Sequence, residues 1–442
     1  MYLRRLLPTL LLASGCAQCP DPIQSPGSPV TGLHYPTGLA LHPTEPVLLV
    51  ANSNFDLGYA TGSVVGAHLG WLVQHLQRND RYEGDIRNPF SGGVLVPSFG
   101  GPLAMGPGGD HVLHTTRGDN RLVELELSVR DDGVTLSCGN RGGNPPDCTG
   151  GDHVLQLPYD DPYGLVAVQG AGNATWWVVS FLRSGKVVAG DRRPSISGSD
   201  RLFIGWEKNL GDADRGGSLL LLPSVAGNPQ YLLSTGREVP GTGADVGHLR
   251  MLNFWRGPQA DPLTVDLREQ VGALDVRGVA YSAARQKAYA VTKTPPAVVE
   301  LDMRRIWDGS PTGRATRIAQ IGKEPSVVAL YEPANGPSLV LTASFRDDVL
   351  LVLDMDTLEV VAALRDIGDS PFEIAVDNAR SLAFVSNFND DTVAVVRLPQ
   401  DAQDSRLFVA ARLGIPRERA SNNPDLPIPG GGVIPSLPVG GL

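Results

Sequence analysis

Residues 368–398 read GDSPFEIAVDNARSLAFVSNFNDDTVAVVRL. Three apolar runs in this stretch are separated by turns, and the second run ends in Phe388-Asn389-Asp390-Asp391. Two adjacent carboxylates after a buried-looking run are either a piece of chemistry or a turn. A second copy upstream favours the turn. GKEPSVVALYEPANGPSLVLTASFRDDVLLVLDMDTLEVV, residues 322–361, has the same order: Gly, two residues, Pro, an apolar run, a turn, a second run ending in Phe-x-Asp-Asp, and a third run. The prolines Pro325 and Pro371 lie 46 residues apart, and Phe345 and Phe388 lie 43 apart. Asp and Asn suit such hairpins because their short side chains bond the local backbone and tolerate left-handed conformations.

Weaker copies run back through the chain. YPTGLALHPTEPVLLVANSNFD (35–56), GPLAMGPGGDHVLHTTRGDNRLVELEL (101–127) and DPYGLVAV with TWWVVSFLRSGKVVAG (161–168 and 175–190) follow the plan. RGVAYSAARQKAYAVTKTPPAVVELDM (277–303) has Gly278 in the proline's place, and a degenerate copy is expected within 216–252. The runs VLLVAN (47–52), SLLLLP (218–223), SLVLTASF (338–345) and VLLVLDM (349–355) are the length of strands. Helical spacing is confined to AHLGWLVQHLQR (67–78), where Leu69, Val73 and Leu76 share a face, and to LDMRRIWDG (301–309). A period of about 40–50 residues with three or four strands per unit is the signature of a β-propeller. The sequence therefore predicts an all-β chain, a β-propeller of about seven four-stranded blades.

These repeats resemble the YVTN-type seven-bladed propeller. The closest copy supplies Gly368 and Pro371, Ile374-Ala375-Val376-Asp377, Phe384-Val385-Ser386-Asn387 and Thr392-Val393-Ala394-Val395. The resemblance spans roughly residues 35–414 and implies the fold; it is nearly silent on function, because propellers host binding and catalysis alike. Propellers of similar blade pattern include lactone hydrolases and quinone-dependent dehydrogenases.

The flanks carry a different message. MYLRRLLPTLLLASGC has Arg4 and Arg5, then a short apolar stretch, then small residues before Cys16, the layout of a secretory signal peptide over residues 1–15. Ala13-Ser14-Gly15-Cys16 resembles the bacterial lipobox, although Leu12 stands one place too early for it. That resemblance implies lipidation of Cys16, and Ala17 after it implies the outer membrane. Residues 16–34 then read as a lipidated Cys and flexible tether, 35–414 as the propeller, and 415–442 as a Pro/Gly-rich tail. Cys138 and Cys148 bracket a turn-rich loop and are expected to form a disulfide in an oxidising envelope. A zinc site there would need two further ligands, and only His153 is near.

A net charge of −10 and a pI near 5.3, with no basic run, exclude a phosphate-binding surface, so nucleic acid is not an expected partner. No phosphate-cradling Gly loop, Gly-x-Ser-x-Gly elbow or His-Glu-x-x-His helix is present, and no cofactor or metal is expected. His111 and His114, three apart on a predicted strand, face different sides, and Arg117-Gly118-Asp119 reads as a turn. The polar turns Asn52, Asn54, Asp119, Asn120, Asp347, Asp348, Asn387, Asn389, Asp390 and Asp391 are expected at one mouth of the channel, as a candidate ligand-binding rim. Such a rim could hold calcium, but the spacing of a dedicated calcium loop is missing. Phe345 and Phe388 are expected to pack between neighbouring blades. Two function classes follow: a lipid-anchored envelope module that binds a protein, glycan or other ligand, or a hydrolase or oxidoreductase with its site at the channel mouth. If Cys16 carries the anchor, Cys16→Ser expressed in a Gram-negative host should leave the membrane fraction; a variant that stays there contradicts the lipobox reading.

Overall fold

The structure is a computed structural model that describes residues 27–131, 133–139, 143–170, 175–194, 200–211, 215–223, 230–237, 247–304 and 313–417. The signal peptide, Cys16 and Cys19, and the tail after residue 417 lie outside them. Among the described residues the strands form seven antiparallel sheets, taken up consecutively along the chain as blades 1–7. The blades span Pro36–Val96, Gly100–Gln156, Pro162–Asn209, Arg215–Asp266, Asp275–Gln320, Pro325–Leu364 and Pro371–Gly414. Their first strands touch in cyclic order, the seventh against the first, so the sheets close into a propeller around a central channel. The degenerate copy expected within 216–252 is blade 4.

The apolar runs are the middle strands. Val47–Asn52, Leu339–Ser344, Leu382–Asn387 and Thr392–Arg397 are buried at every position, because a neighbouring blade covers each face. A strand buried on both faces reads as a continuous apolar run instead of an alternating one. Leu341 and Val352 of blade 6, for example, pack in one cluster with Ile374, Ala383 and Val385 of blade 7. Each such side chain gains about 1.5–3 kcal/mol on burial. The outer strands lack that cover, and Arg314–Gln320 is accordingly half-buried or exposed throughout.

The repeat motif is a set of pegs. The Asn387 amide donates to the Ile367 carbonyl at 2.7 Å and to the Thr392 hydroxyl at 3.0 Å, tying the chain entering blade 7 to its second and third strands. Asn52 does the same in blade 1, through the Gly32 carbonyl at 3.0 Å and Ser63 at 2.9 Å, and Ser344 bonds the Lys323 carbonyl in blade 6. Gly368 lies over this peg with φ +125°, where a Cβ would come within 2.4 Å of the Asn387 amide nitrogen. That contact and that backbone angle account for the Gly of Gly-x-x-Pro. Pro371 opens its strand, where its missing N–H costs nothing.

The four main strands of blade 1 and of blade 7 each follow in chain order, and one short strand passes between these blades at the closure. Blade 1 carries an insertion, the helix Gly70–Arg78 followed by a two-residue strand Asp85–Ile86, and this insertion docks on blade 7. Asp85–Ile86 adds in parallel to the outer edge of Phe408–Gly414. Leu72 and Leu76 of the helix are buried, with Leu69 and Val73 packed in the same cluster as Phe384, Val395 and Leu413. Arg397 donates to the Leu76 carbonyl at 2.8 Å, Arg380 to the Thr44 carbonyl at 2.6 Å and the Tyr82 N–H to the Ala410 carbonyl at 2.8 Å. The other helical expectation, 301–309, is described only to residue 304, and its first two residues end a strand. The last part of the expected tether is ordered against blade 1: Ser28 and Leu33 are buried, and Ser63 bonds the Pro29 carbonyl at 2.7 Å.

Cys138 and Cys148 form a disulfide, with Cα atoms 5.8 Å apart and both residues buried. The bridged segment reaches across from blade 2: the Cys148 N–H donates to the Leu95 carbonyl at 2.8 Å, and Leu95 returns a bond to Pro146 at 2.9 Å. Closing a loop of this size restricts the unfolded chain by about 2–3 kcal/mol. The Cys138→Ser, Cys148→Ser double variant should therefore unfold at a lower urea concentration by that free energy. Coincident unfolding curves for the variant and the oxidised wild type would rule the contribution out.

Candidate functional site

Every blade begins with a bulge. The pairing of first and second strands slips by one residue in all seven, between Pro36 and Gly38 in blade 1 and between Pro371 and Ile374 in blade 7. An extra residue breaks the in–out alternation and re-aims side chains. In blade 7 it lets two consecutive residues, Phe372 and Glu373, both line the channel. The position of Glu373 is Gly38, Pro102, Gly164, Ser218, Gly278 and Val327 in blades 1–6. The next position is aliphatic in every blade: Leu39, Leu103, Leu165, Leu219, Val279, Val328 and Ile374. Glu373 is thus one acid in a ring of small and apolar residues, set beside an aliphatic ring.

At the channel mouth the polar turns make hydrogen bonds within the protein. Asp391 accepts from the backbone N–H of Tyr35 at 2.7 Å, Asp348 from that of Ser370 at 2.8 Å, and Asn120 from that of Asp161 at 2.9 Å. In each case the acceptor belongs to one blade and the donor immediately precedes the first Pro of the next. Acceptors and donors alike are left-handed, with φ between 51° and 63°. Between blades 1 and 2 the Asn54 amide reaches the Ser98 hydroxyl at 2.9 Å. Asp347 accepts from the Lys323 N–H at 2.6 Å, Asn389 donates to Ser370 at 2.8 Å, Thr392 donates to Asp390 at 3.3 Å, and Asp119 accepts from Thr116 at 2.6 Å. Asn52, Asn54 and Asn387 are fully buried. Of the ten residues expected as a rim, only Asn120 lines the cavity. The turns do lie around the mouth, but their side chains are engaged in internal bonds, and those of Asn54, Asn120, Asp348 and Asp391 latch one blade to the next.

The junction of blades 7 and 1 is reinforced. Arg417 forms a bidentate pair with Asp391 at 2.7 and 2.9 Å, and its guanidinium lies 3.9 Å from the Tyr35 ring centroid. His34 bonds Asp56 at 2.9 Å beside them. Burial pulls its pKa down, but the Asp391 and Asp56 carboxylates outweigh burial and hold it above the usual value.

What faces the cavity is aromatic. The cavity has a volume of about 830 Å³, and Phe99, Phe55, Phe388, Phe345 and Phe372 form a belt around one side of it. Neighbouring rings are 6.1 Å apart for Phe99–Phe55, 5.3 Å for Phe55–Phe388, 6.2 Å for Phe388–Phe345 and 5.9 Å for Phe388–Phe372. Phe345 and Phe388 do meet residues of neighbouring blades, but they are half-buried at the mouth instead of sealed within an interface. Phe55 is 57% exposed. The wall next to Phe99 is charged: Arg117 pairs with Asp161 at 2.6 Å, Arg183 stands 3.8 Å from Asp161, and Asn120 donates to Asp160 at 2.7 Å.

Glu373 has no Lys, Arg or His partner among the described residues. It is half-buried, its surroundings being channel wall, and desolvation pushes its pKa up to about 7 against the opposing Ile374 N–H. Sequence reading missed it, although the signal is there: Glu stands two places after Pro371 where the aligned copies carry Gly, Pro, Ser or Val. No three His, Cys, Asp or Glu side chains cluster as a metal site among the described residues.

No protein-family model matches the chain, and no curated protein matches it. Solved structures do. The Cps50 (Swd1) β-propeller domain of Myceliophteria thermophila superposes with a TM-score of 0.54 at 8% identity, over 84% of this chain and 98% of that one. A Lactobacillus plantarum protein superposes with a TM-score of 0.49 at 11% identity, over 86% of this chain and 96% of that one. The first likeness establishes the propeller fold.

The raised Glu373 pKa sets a pH dependence. Between the ordinary carboxyl value and about 7 the folded state holds a proton that the unfolded state has lost, so stability falls as pH rises through that window. The loss is on the order of 2–3 kcal/mol. Denaturation of wild type and Glu373→Gln from pH 4 to 8 should give curves that converge at low pH and separate above it, with the variant the more stable. Parallel curves would place Glu373 in contact with bulk water.

Proposed function

We propose that this chain is a lipid-anchored envelope β-propeller that works as a binding module and takes its ligand into the aromatic mouth of the channel. The observation that carries this reading is the Phe belt. Five rings border a cavity of about 830 Å³, within the size range of ligand sites, and Phe55 is left 57% exposed. Apolar surface kept open beside a concave site marks a place of interaction. The acyl anchor rests on the lipobox resemblance at Cys16, and the YVTN assignment on the Gly-x-x-Pro and Phe-Val-Ser-Asn copies. Neither bears on the choice of ligand; the belt does.

The alternative, a hydrolase or oxidoreductase at the same mouth, is favoured by one observation: Glu373 titrates near neutrality, as a general acid or base should. Such chemistry needs a second group, and the described lining contains no His, Cys or Lys beside it. The belt has a use for binding without any further residue.

A photoreactive phenylalanine analogue placed at Phe55, with the same analogue at the exposed Trp255 on the outer edge as control, tests the reading in the cell that makes the protein. Irradiation should give a discrete adduct from position 55 and none from 255. Equal labelling at both positions, or none at 55, would overturn the mouth as the binding site.

A further inference from the structure

We infer that the group bound in the channel is an alkylammonium cation, inserted past the Phe belt and paired with the Glu373 carboxylate. This deepens the binding reading and rests on it. Phe372 and Glu373 are consecutive and both line the cavity, so the aromatic belt leads to the acid without an intervening residue. The faces of Phe rings attract a cation by their quadrupole, most strongly where water is excluded. A carboxylate in an apolar ring is the counter-charge that such a cation lacks after leaving water.

The charges around the cavity leave Glu373 to set its sign. At the rim Arg117 and Arg183 are balanced by Asp160 and Asp161, and Arg117 is held at 2.6 Å by Asp161. Arg277, one position earlier along blade 5, is occupied by Asp275 at 2.7 Å. The chain as a whole is anionic, with a net charge of −10, which draws cations toward it. A neutral guest would leave an ionised carboxylate without a counter-charge, and an anion would meet it as a like charge. The arrival of an ammonium favours the ionised carboxyl, so binding near neutral pH should release a proton.

The chain of such a ligand is apolar behind its charged end, where it passes the Phe rings, as in a Lys side chain of a partner or a free aliphatic amine. Calorimetry on the full chain with hexylamine, hexanol and hexanoate separates charge from chain length, and peptides with one Lys or one norleucine separate the two sources. Hexylamine or the Lys peptide should bind at least tenfold more tightly than the uncharged and anionic probes. Whichever of the two binds more tightly identifies the source. Glu373→Gln should lose that preference, Glu373→Asp should restore much of it, and Phe388→Ala should weaken it several-fold. Equal binding of hexylamine and hexanol, no binding of either cationic probe, or an unchanged preference in Glu373→Gln would overturn the inference. The binding reading is judged separately: labelling from Phe55 that survives Glu373→Gln and is not displaced by hexylamine keeps the mouth as a site while the cation proposal fails.

Discussion

At three junctions of the ring, the residue just before a blade's opening Pro has a backbone N–H that bonds a side-chain acceptor of the previous blade. Tyr35, Asp161 and Ser370 are the donors, and Asp391, Asn120 and Asp348 the acceptors. Both partners are left-handed, a conformation Asp and Asn adopt more readily than other residues. An acceptor that is a carboxylate makes the bond worth about 1.5–3 kcal/mol, and these bonds are part-buried between the blades they join. A closed ring is only as firm as its junctions, so these turns matter more than their small size suggests. They also decide what remains for a ligand. With the acceptor oxygens committed between blades, the free surface at the mouth falls to the rings that flank the turns.

Much of this was legible in the sequence. The 43-residue offset between Phe345 and Phe388 gave the blade unit, and the continuous apolar runs gave the strands covered on both faces. Cys138 and Cys148 could be paired from their spacing and the loop between them. The meaning of the acidic turns was less accessible. An Asp that binds a ligand and an Asp that binds the next blade's N–H look the same in one dimension, since Asp391 and Tyr35 lie 356 residues apart. Glu373 was hidden for a related reason. Alternation along a strand gives adjacent residues opposite faces, and only the bulge, invisible in composition, turns both Phe372 and Glu373 to the lumen. Aligning the copies position by position would have exposed it.

The aromatic belt and the isolated acid are built by different means. The belt comes from turns of several blades and from the first strand of blade 7, so no single repeat contains it, and its rings hold one another at 5.3–6.3 Å. The acid is a departure of one repeat from its fellows. A ring of near-equivalent units gains a directional site when one unit breaks the pattern, and here blade 7 is the unit that does so.

The insertion in blade 1 has a bearing on how the ring is made. Six of the seven junctions join blades adjacent in the chain, so each can settle as soon as the strands of its two blades exist. The contacts of Leu76 with Arg397, Thr44 with Arg380 and Asp80 with Arg406 join residues 321 to 336 positions apart. Such contacts, like those of Tyr35 with Asp391 and His34 with Arg417 at 356 and 383 positions, carry a large loop-closure entropy. Until Phe408–Gly414 is in place, the edge strand Asp85–Ile86 has no partner and the helix Gly70–Arg78 lacks the blade 7 part of its apolar cluster. The growing chain therefore carries an open seam through nearly its whole synthesis, and any factor that shields this helix would act on the first blade while serving the last.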